Sequence, residues 1–141
     1  MDQDTKREII MEHYTHPMNR VRKEENDYIK VNTANSSCID NIDIYIKFSG
    51  DVIEDITFQG EACAISISAT SIMIENLIGK TKEEAKEYIR NFYQMTEGKE
   101  FDSEILKDAI VYDEIYKQGN RKTCATLPFR GIEKAILESL E

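Results

Sequence analysis

Apolar and polar positions alternate most clearly in the middle of the chain. Ile42, Ile44, Ile46 and Phe48 interleave with Asp43, Tyr45, Lys47 and Ser49. Side chains two apart share a face of an extended chain, so this predicts a strand with one face in a core. Ser49-Gly50-Asp51 is a tight-turn signal, and residues 52–58 read as the returning strand. A short alternating stretch at 28–31 supplies a third strand. Three antiparallel strands in a meander are the simplest arrangement.

The remaining pattern is helical. Residues 5–14 carry Ile9, Ile10 and Tyr14 as a stripe, and His16-Pro17 ends it, because a residue before proline avoids the helical region. Residues 63–78 are apolar almost all round and close on Gly79, which predicts a deeply buried helix. Residues 82–95 are amphipathic, with Ala85, Tyr88, Ile89, Phe92 and Tyr93 inward. Further helices are expected over 102–116 and from about 127 to 140. Strands grouped before helices predict an α+β fold, a three-stranded antiparallel sheet with helices packed on one face. The 141 residues suit one domain, 1–141, with no repeat or linker.

Composition narrows the function. Eighteen basic residues against 27 acidic ones leave a net charge of −9, which disfavours a phosphate backbone, so no nucleic-acid partner is expected. No apolar run approaches the roughly 18 residues of a membrane span, and no membrane association is expected. Residues 1–11 are charged and mixed in sign, without the apolar centre of a secretory signal, so a cytoplasmic location is expected. Three cysteines cannot all pair within the chain, which favours metal or thiol chemistry over a disulfide frame.

Each cysteine falls at a junction between predicted elements. Cys38 precedes the second strand, Cys63 opens the buried helix, and Cys124 precedes the last helix. Helix N-termini favour a thiolate, and Arg121 and Lys122 add positive charge beside Cys124. Cys38 and Asp40, two apart, face the same way in extended chain. Three thiolates and a carboxylate make a tetrahedral set of the kind that zinc or an iron–sulfur centre accepts. Spacing alone leaves open whether these residues meet or are three unrelated buried thiols. His13 and His16, three apart on the first helix, could be read as ligands or as surface or packing residues, and Asp40 as a ligand or as a turn cap.

The motifs that surround these residues resemble the U-type iron–sulfur cluster scaffold family (IscU, the NifU N-terminal domain, SufU). Asn35-Ser-Ser-Cys38-Ile-Asp40 is similar to that family's Asn-Pro-Ser/Thr-Cys-Gly-Asp motif. Phe58-Gln-Gly-Glu-Ala-Cys63-Ala-Ile-Ser66 is similar to its second cysteine motif, and Arg121-Lys-Thr-Cys124-Ala-Thr-Leu127 to its third. Glu12-His-Tyr14 with Pro17 and Asn19 resembles its N-terminal signature. A long interval between the second and third cysteines, Arg121 three before the third, and Thr123 where ISC-type scaffolds carry a His all resemble the SUF-type branch. Ile39, Ala62 and Ser36 depart from the motifs, and Ile39 replaces a glycine.

The resemblance implies a SufE/NifU-like fold and a zinc site built from Cys38, Asp40, Cys63 and Cys124, with surface or packing roles for His13 and His16. It implies a sulfur carrier more than a conventional turnover enzyme. Cys38 would accept persulfide sulfur from a SufS-like or IscS-like cysteine desulfurase, Cys124 would be the alternative acceptor, and Arg121 would give electrostatic support. Alternatively, the site would hold iron or a transient [2Fe–2S] cluster on Cys38, Cys63 and Cys124 for cluster-accepting proteins. Rivals from other classes are a structural zinc domain for protein interaction and a Cys–His thiol enzyme.

Overall fold

A computed structural model describes residues 1–35 and 39–140. Strands β1 (Ile29–Ala34), β2 (Asn41–Ser49) and β3 (Val52–Glu61) form one antiparallel sheet in the order β1-β2-β3. Helix α1 (Gln3–Thr15) precedes it; α2 (Ala64–Leu77), α3 (Lys82–Thr96), the short α4 (Ser103–Leu106) and α5 (Gly119–Ser139) follow. The expected strands and the expected α+β class are present, each strand a little longer than its alternation.

The sheet forms where the pattern places it. Ile42, Ile44 and Ile46 on β2 and Ile56 and Phe58 on β3 are completely buried, opposite each other in register as Ile44–Phe58 and Ile46–Ile56. Each such side chain contributes about 2 kcal/mol of burial. The outer edge of β3 is covered at both ends. Asn19 accepts a backbone bond from Phe58, and the segment after α2 pairs with the start of β3 through Ile53 N–H to Lys80 O and Gly79 N–H to Ile53 O.

Helices α2 and α5 lie against the sheet and against each other, α3 packs on α5, and α1 packs on α2. Helix α2 is buried without interruption from Ser66 to Ile74, as its all-round apolarity requires. Helix α3 starts at a capping box, in which Thr81 and Glu84 satisfy each other's backbone N–H groups. Phe92 of α3 stacks on Phe129 of α5 with ring centroids 3.7 Å apart. Gly131 lets α5 approach the sheet: a Cβ there would sit 2.8 Å from both Ile44 and Thr33 side-chain atoms.

Two helices differ from their expected extents. The stretch 102–116 is not one helix: Lys107 adopts φ +51°, which breaks α4, and 3₁₀ turns follow at Lys107–Tyr112 and Ile115–Lys117. The last helix begins at Gly119, not near Leu127, and Pro128 stands inside it. Cys124 therefore lies in the second turn of α5 and not before the helix.

Gly60, three residues before Cys63, is the tightest point of the sheet. It has φ +140°, and an added Cβ would fall 2.2 Å from the Asn41 carbonyl oxygen. Its own carbonyl accepts from Arg20 Nη2 at 2.7 Å. Gly60→Ala is expected to destabilise the protein by about 3 kcal/mol, read as a lowered denaturant midpoint with an unchanged slope.

Candidate functional site

Asp40, Cys63 and Cys124 come together, each from a different part of the fold. Their ligand-type atoms all lie within 4.8 Å of one another. Asp40 follows the loop between β1 and β2, whose ends are closed by the Asn35 N–H bonding the Asp40 carbonyl at 2.9 Å. Cys63 is the N-cap of α2, in extended conformation, with no side-chain capping bond of its own. Its backbone N–H donates instead to Asp40 Oδ1 at 2.7 Å, so the carboxylate serves the helix terminus that the cap residue leaves open. Cys38 lies outside the described residues.

Ser66, completely buried, completes the constellation. Its Oγ is 2.8 Å from Asp40 Oδ2 and 2.8 Å from the carbonyl oxygen of Cys124. Cys63 Sγ stands 3.7 Å from Asp40 Oδ2, and Asn35 Nδ2 donates to Cys124 Sγ at 3.8 Å. The thiols border a pocket of about 490 Å³, with Asn35, Ala64, Ile65, Asn120 and Arg121 as its other walls. Arg121 thus borders the pocket. Lys122 does not; its Nζ pairs with Glu97 at 2.6 Å.

The electrostatics differ from the expectation for Cys124. Burial, followed by the Asp40 carboxylate and the Cys63 sulfur, pushes the Cys124 thiol well above the ordinary thiol range. Six residues into α5, it is beyond the first turn, where the dipole helps a thiolate. Burial also raises Asp40, but the Cys63 N–H and the Cys124, Ser66 and Cys63 side chains together outweigh it and hold the carboxyl below its ordinary 3.8. The site therefore brings together an ionised carboxylate and two thiols, with Arg121 in the pocket wall. Thiolate sulfur and carboxylate oxygen are the donor types that zinc accepts, and a dication there would offset the repulsion that raises Cys124. The residues fit such an ion.

The two histidines stand apart from this site. His13 Nδ1 bonds Ser71 Oγ at 2.7 Å and Nε2 faces Glu75 at 3.3 Å, which docks α1 on α2. His13, Glu75 and Asp108 form a second loose group of ligand-type atoms, but both carboxylates are exposed and both imidazole nitrogens are already engaged. His16 is on the surface. Among the described residues neither imidazole contacts a thiol.

Sequence reasoning passed over Ser66 as a site residue. Two signals were present: Ser66 lies three after Cys63, one helical turn on, and Pro128 lies four after Cys124.

Residues 5–125 match the family model described as the NifU-like N terminal domain, and the chain belongs to that family. It is 37% identical over 131 residues to the zinc-dependent sulfurtransferase SufU of Bacillus subtilis, covering 92% of this chain and 88% of that protein. It is 32% identical over 132 residues to the iron–sulfur cluster assembly scaffold protein IscU of Streptococcus pyogenes serotype M1, covering 93% and 82%. Among solved structures, a SUF-system scaffold-type protein of Fervidobacterium islandicum AW-1 superposes with a TM-score of 0.87 at 37% identity, over 92% of this chain and 94% of that one.

Asp40 carries a pH signature of its own. Its folded-state pKa is depressed, so its contribution to stability is complete above the ordinary 3.8 and is lost as pH falls through the lower folded value. Acid unfolding of wild type should therefore include a component in that window. Asp40→Asn should lack it in denaturation profiles recorded between neutral pH and pH 2.

Proposed function

We propose that this chain is a SufU-type sulfur acceptor in iron–sulfur cluster assembly, acting as a single domain with zinc held by Cys38, Asp40, Cys63 and Cys124. The observation that carries the reading is the convergence of Asp40, Cys63 and Cys124 beside an open pocket walled by Arg121. Bound zinc would keep site thiols deprotonated at neutral pH.

The chain's own residues account for the rest. Cys38 is the acceptor: its thiolate attacks the outer sulfur of a cysteine-desulfurase persulfide, the S–S bond of the donor breaks, and the donor thiolate leaves as Cys38 becomes the persulfide. Its neighbour Ile39 is 68% exposed and can be reached by a partner. Cys63 and Asp40 stay anchored by the N–H bond between them. Cys124, high in pKa and buried, is the slower second acceptor. Arg121 stands in the wall of the pocket that both thiols border, where its cation would attract a persulfide anion. The donor would be a SufS-like or IscS-like cysteine desulfurase, and cluster-accepting proteins would follow it. The net charge of −9 supports protein partners over nucleic acid. No helix among the described residues is long and apolar enough to cross a membrane.

The open pocket also supports a second reading, in which the same cysteines receive a nascent [2Fe–2S] cluster as cargo. A purely structural zinc domain is less well supported, because its thiols would be enclosed, and here Cys63 borders open space.

Metal analysis followed by incubation with a cysteine desulfurase and cysteine tests the reading. Mass spectrometry should find one added sulfur, on Cys38, absent in Cys38→Ser. Arg121→Ala should slow the transfer about tenfold without loss of zinc, the size expected for one charge-assisted contact. If no cysteine gains sulfur while iron and sulfide reconstitute a cluster, the scaffold reading replaces this one.

A further inference from the structure

Two free thiols face each other across the contact between α2 and α5. Cys63 Sγ and Cys124 Sγ lie within 4.8 Å of one another. The backbones behind them are close as well, since Ser66 Oγ, in the first turn of α2, is 2.8 Å from the Cys124 carbonyl oxygen. A disulfide places its sulfurs about 2.05 Å apart, so the gap left to close is at most about 3 Å. A side chain crosses such a gap by changing rotamer about Cα–Cβ.

The two thiols are not equivalent. Cys63 caps α2 in extended conformation with no side-chain capping bond. Its sulfur contacts are long, 3.7 Å to Asp40 Oδ2 and 3.8 Å to Ser66 Oγ. It is partly exposed and borders the pocket of about 490 Å³. Cys124 is 6% exposed, fixed in the second turn of α5, and its sulfur accepts from Asn35 Nδ2 at 3.8 Å. Cys63 is therefore the thiol that a small oxidant meets first and the one that moves.

We propose that Cys63 and Cys124 form a redox switch: in the metal-free site a hydroperoxide joins them in an intrachain disulfide, and a dithiol reductant reopens the site. The effect on metal binding rests on the zinc-site reading, while the bond itself does not. Cys63 sulfur attacks one oxygen of hydrogen peroxide, the O–O bond breaks, and hydroxide leaves as Cys63 becomes the sulfenic acid. Cys124 sulfur then attacks the Cys63 sulfur, the S–O bond breaks, and a second hydroxide leaves. The two hydroxides take up the two thiol protons. The pair loses two electrons, and the peroxide is reduced to two waters. Joined sulfurs offer no thiolate to a metal, and Asp40 with Cys38 is only half of a tetrahedral set.

The test uses the full chain, stripped of metal by a chelator and treated with one equivalent of hydrogen peroxide. Thiols counted after denaturation should fall from three to one. Peptide mapping by mass spectrometry without reductant should find the Cys63 and Cys124 peptides linked, with two hydrogens lost. The denaturant midpoint should rise, because the link ties α2 to α5. Zinc affinity by chelator competition should fall at least a hundredfold, and dithiothreitol should restore the thiols and the affinity together. Cys38→Ser should form the same link and lose both of its thiols. Cys63→Ser and Cys124→Ser should each stop at a sulfenic acid that dimedone traps.

A link through Cys38 in wild type, with none in Cys38→Ser, overturns the proposal. So does peroxide-treated wild type that carries sulfinic acid on Cys63 and no link, or that is linked only between chains. Stoichiometric zinc binding by the reduced chain with no link after stripping and oxidation overturns the switch while the zinc-site reading stands. A Cys63–Cys124 link in a chain that takes up no zinc when reduced supports the bond and overturns the zinc-site reading.

Discussion

The hydrogen bond from the Cys63 backbone N–H to Asp40 is the contact on which the site depends. A helix that begins with cysteine has no side-chain cap, and its first amides need an acceptor. The chain takes that acceptor from a loop 23 residues earlier, at the foot of β2. Asp40 thus caps α2 through its carboxylate, accepts the Asn35 N–H at its backbone carbonyl, and places its second carboxylate oxygen beside two sulfurs. The buried charge is tolerable because several donors meet it, which is also why it remains ionised.

Around that contact the fold supplies rigid supports on three sides. The hairpin of β2 and β3 carries Asp40 at one end and delivers the chain to Cys63 at the other, past Gly60, where only a residue without a side chain fits. The buried helix α2 holds Cys63 and Ser66 a turn apart. Helix α5, brought close to the sheet by Gly131, carries Cys124 to them. The donor types gathered there, thiol sulfur and carboxylate oxygen, are those that zinc accepts.

Much of this was legible in the residues. Strict alternation over 42–48 and the turn at 49–51 placed the hairpin, and the uniform apolarity of 63–78 placed the central helix, because both patterns reflect burial directly. Asp40, Cys63 and Cys124 were visible through motif resemblance, since spacing alone cannot show that three junctions meet. Two features hid from the pattern. The last helix was expected from about Leu127 but begins at Gly119, and Pro128, a residue favoured in a first turn, stands well inside it. The extended run over 102–116 has helical periodicity, but its positive-φ break at Lys107 has no sequence signal, lysine being an ordinary helix former. Ser66 escaped as a site residue because its importance comes from a carbonyl on another helix, which no local pattern records.

The covered flank of β3 has a consequence for how these molecules behave in a crowd. With Asn19 at one point and the 79–81 segment at another, the sheet has no long open border on that side. Among the described strands, the remaining sheet edge is β1. There the outward residues Lys30 and Asn32 are exposed and polar, and lysine at a border discourages a neighbouring chain from docking its own backbone. The sheet is thereby guarded against edge-to-edge association between copies.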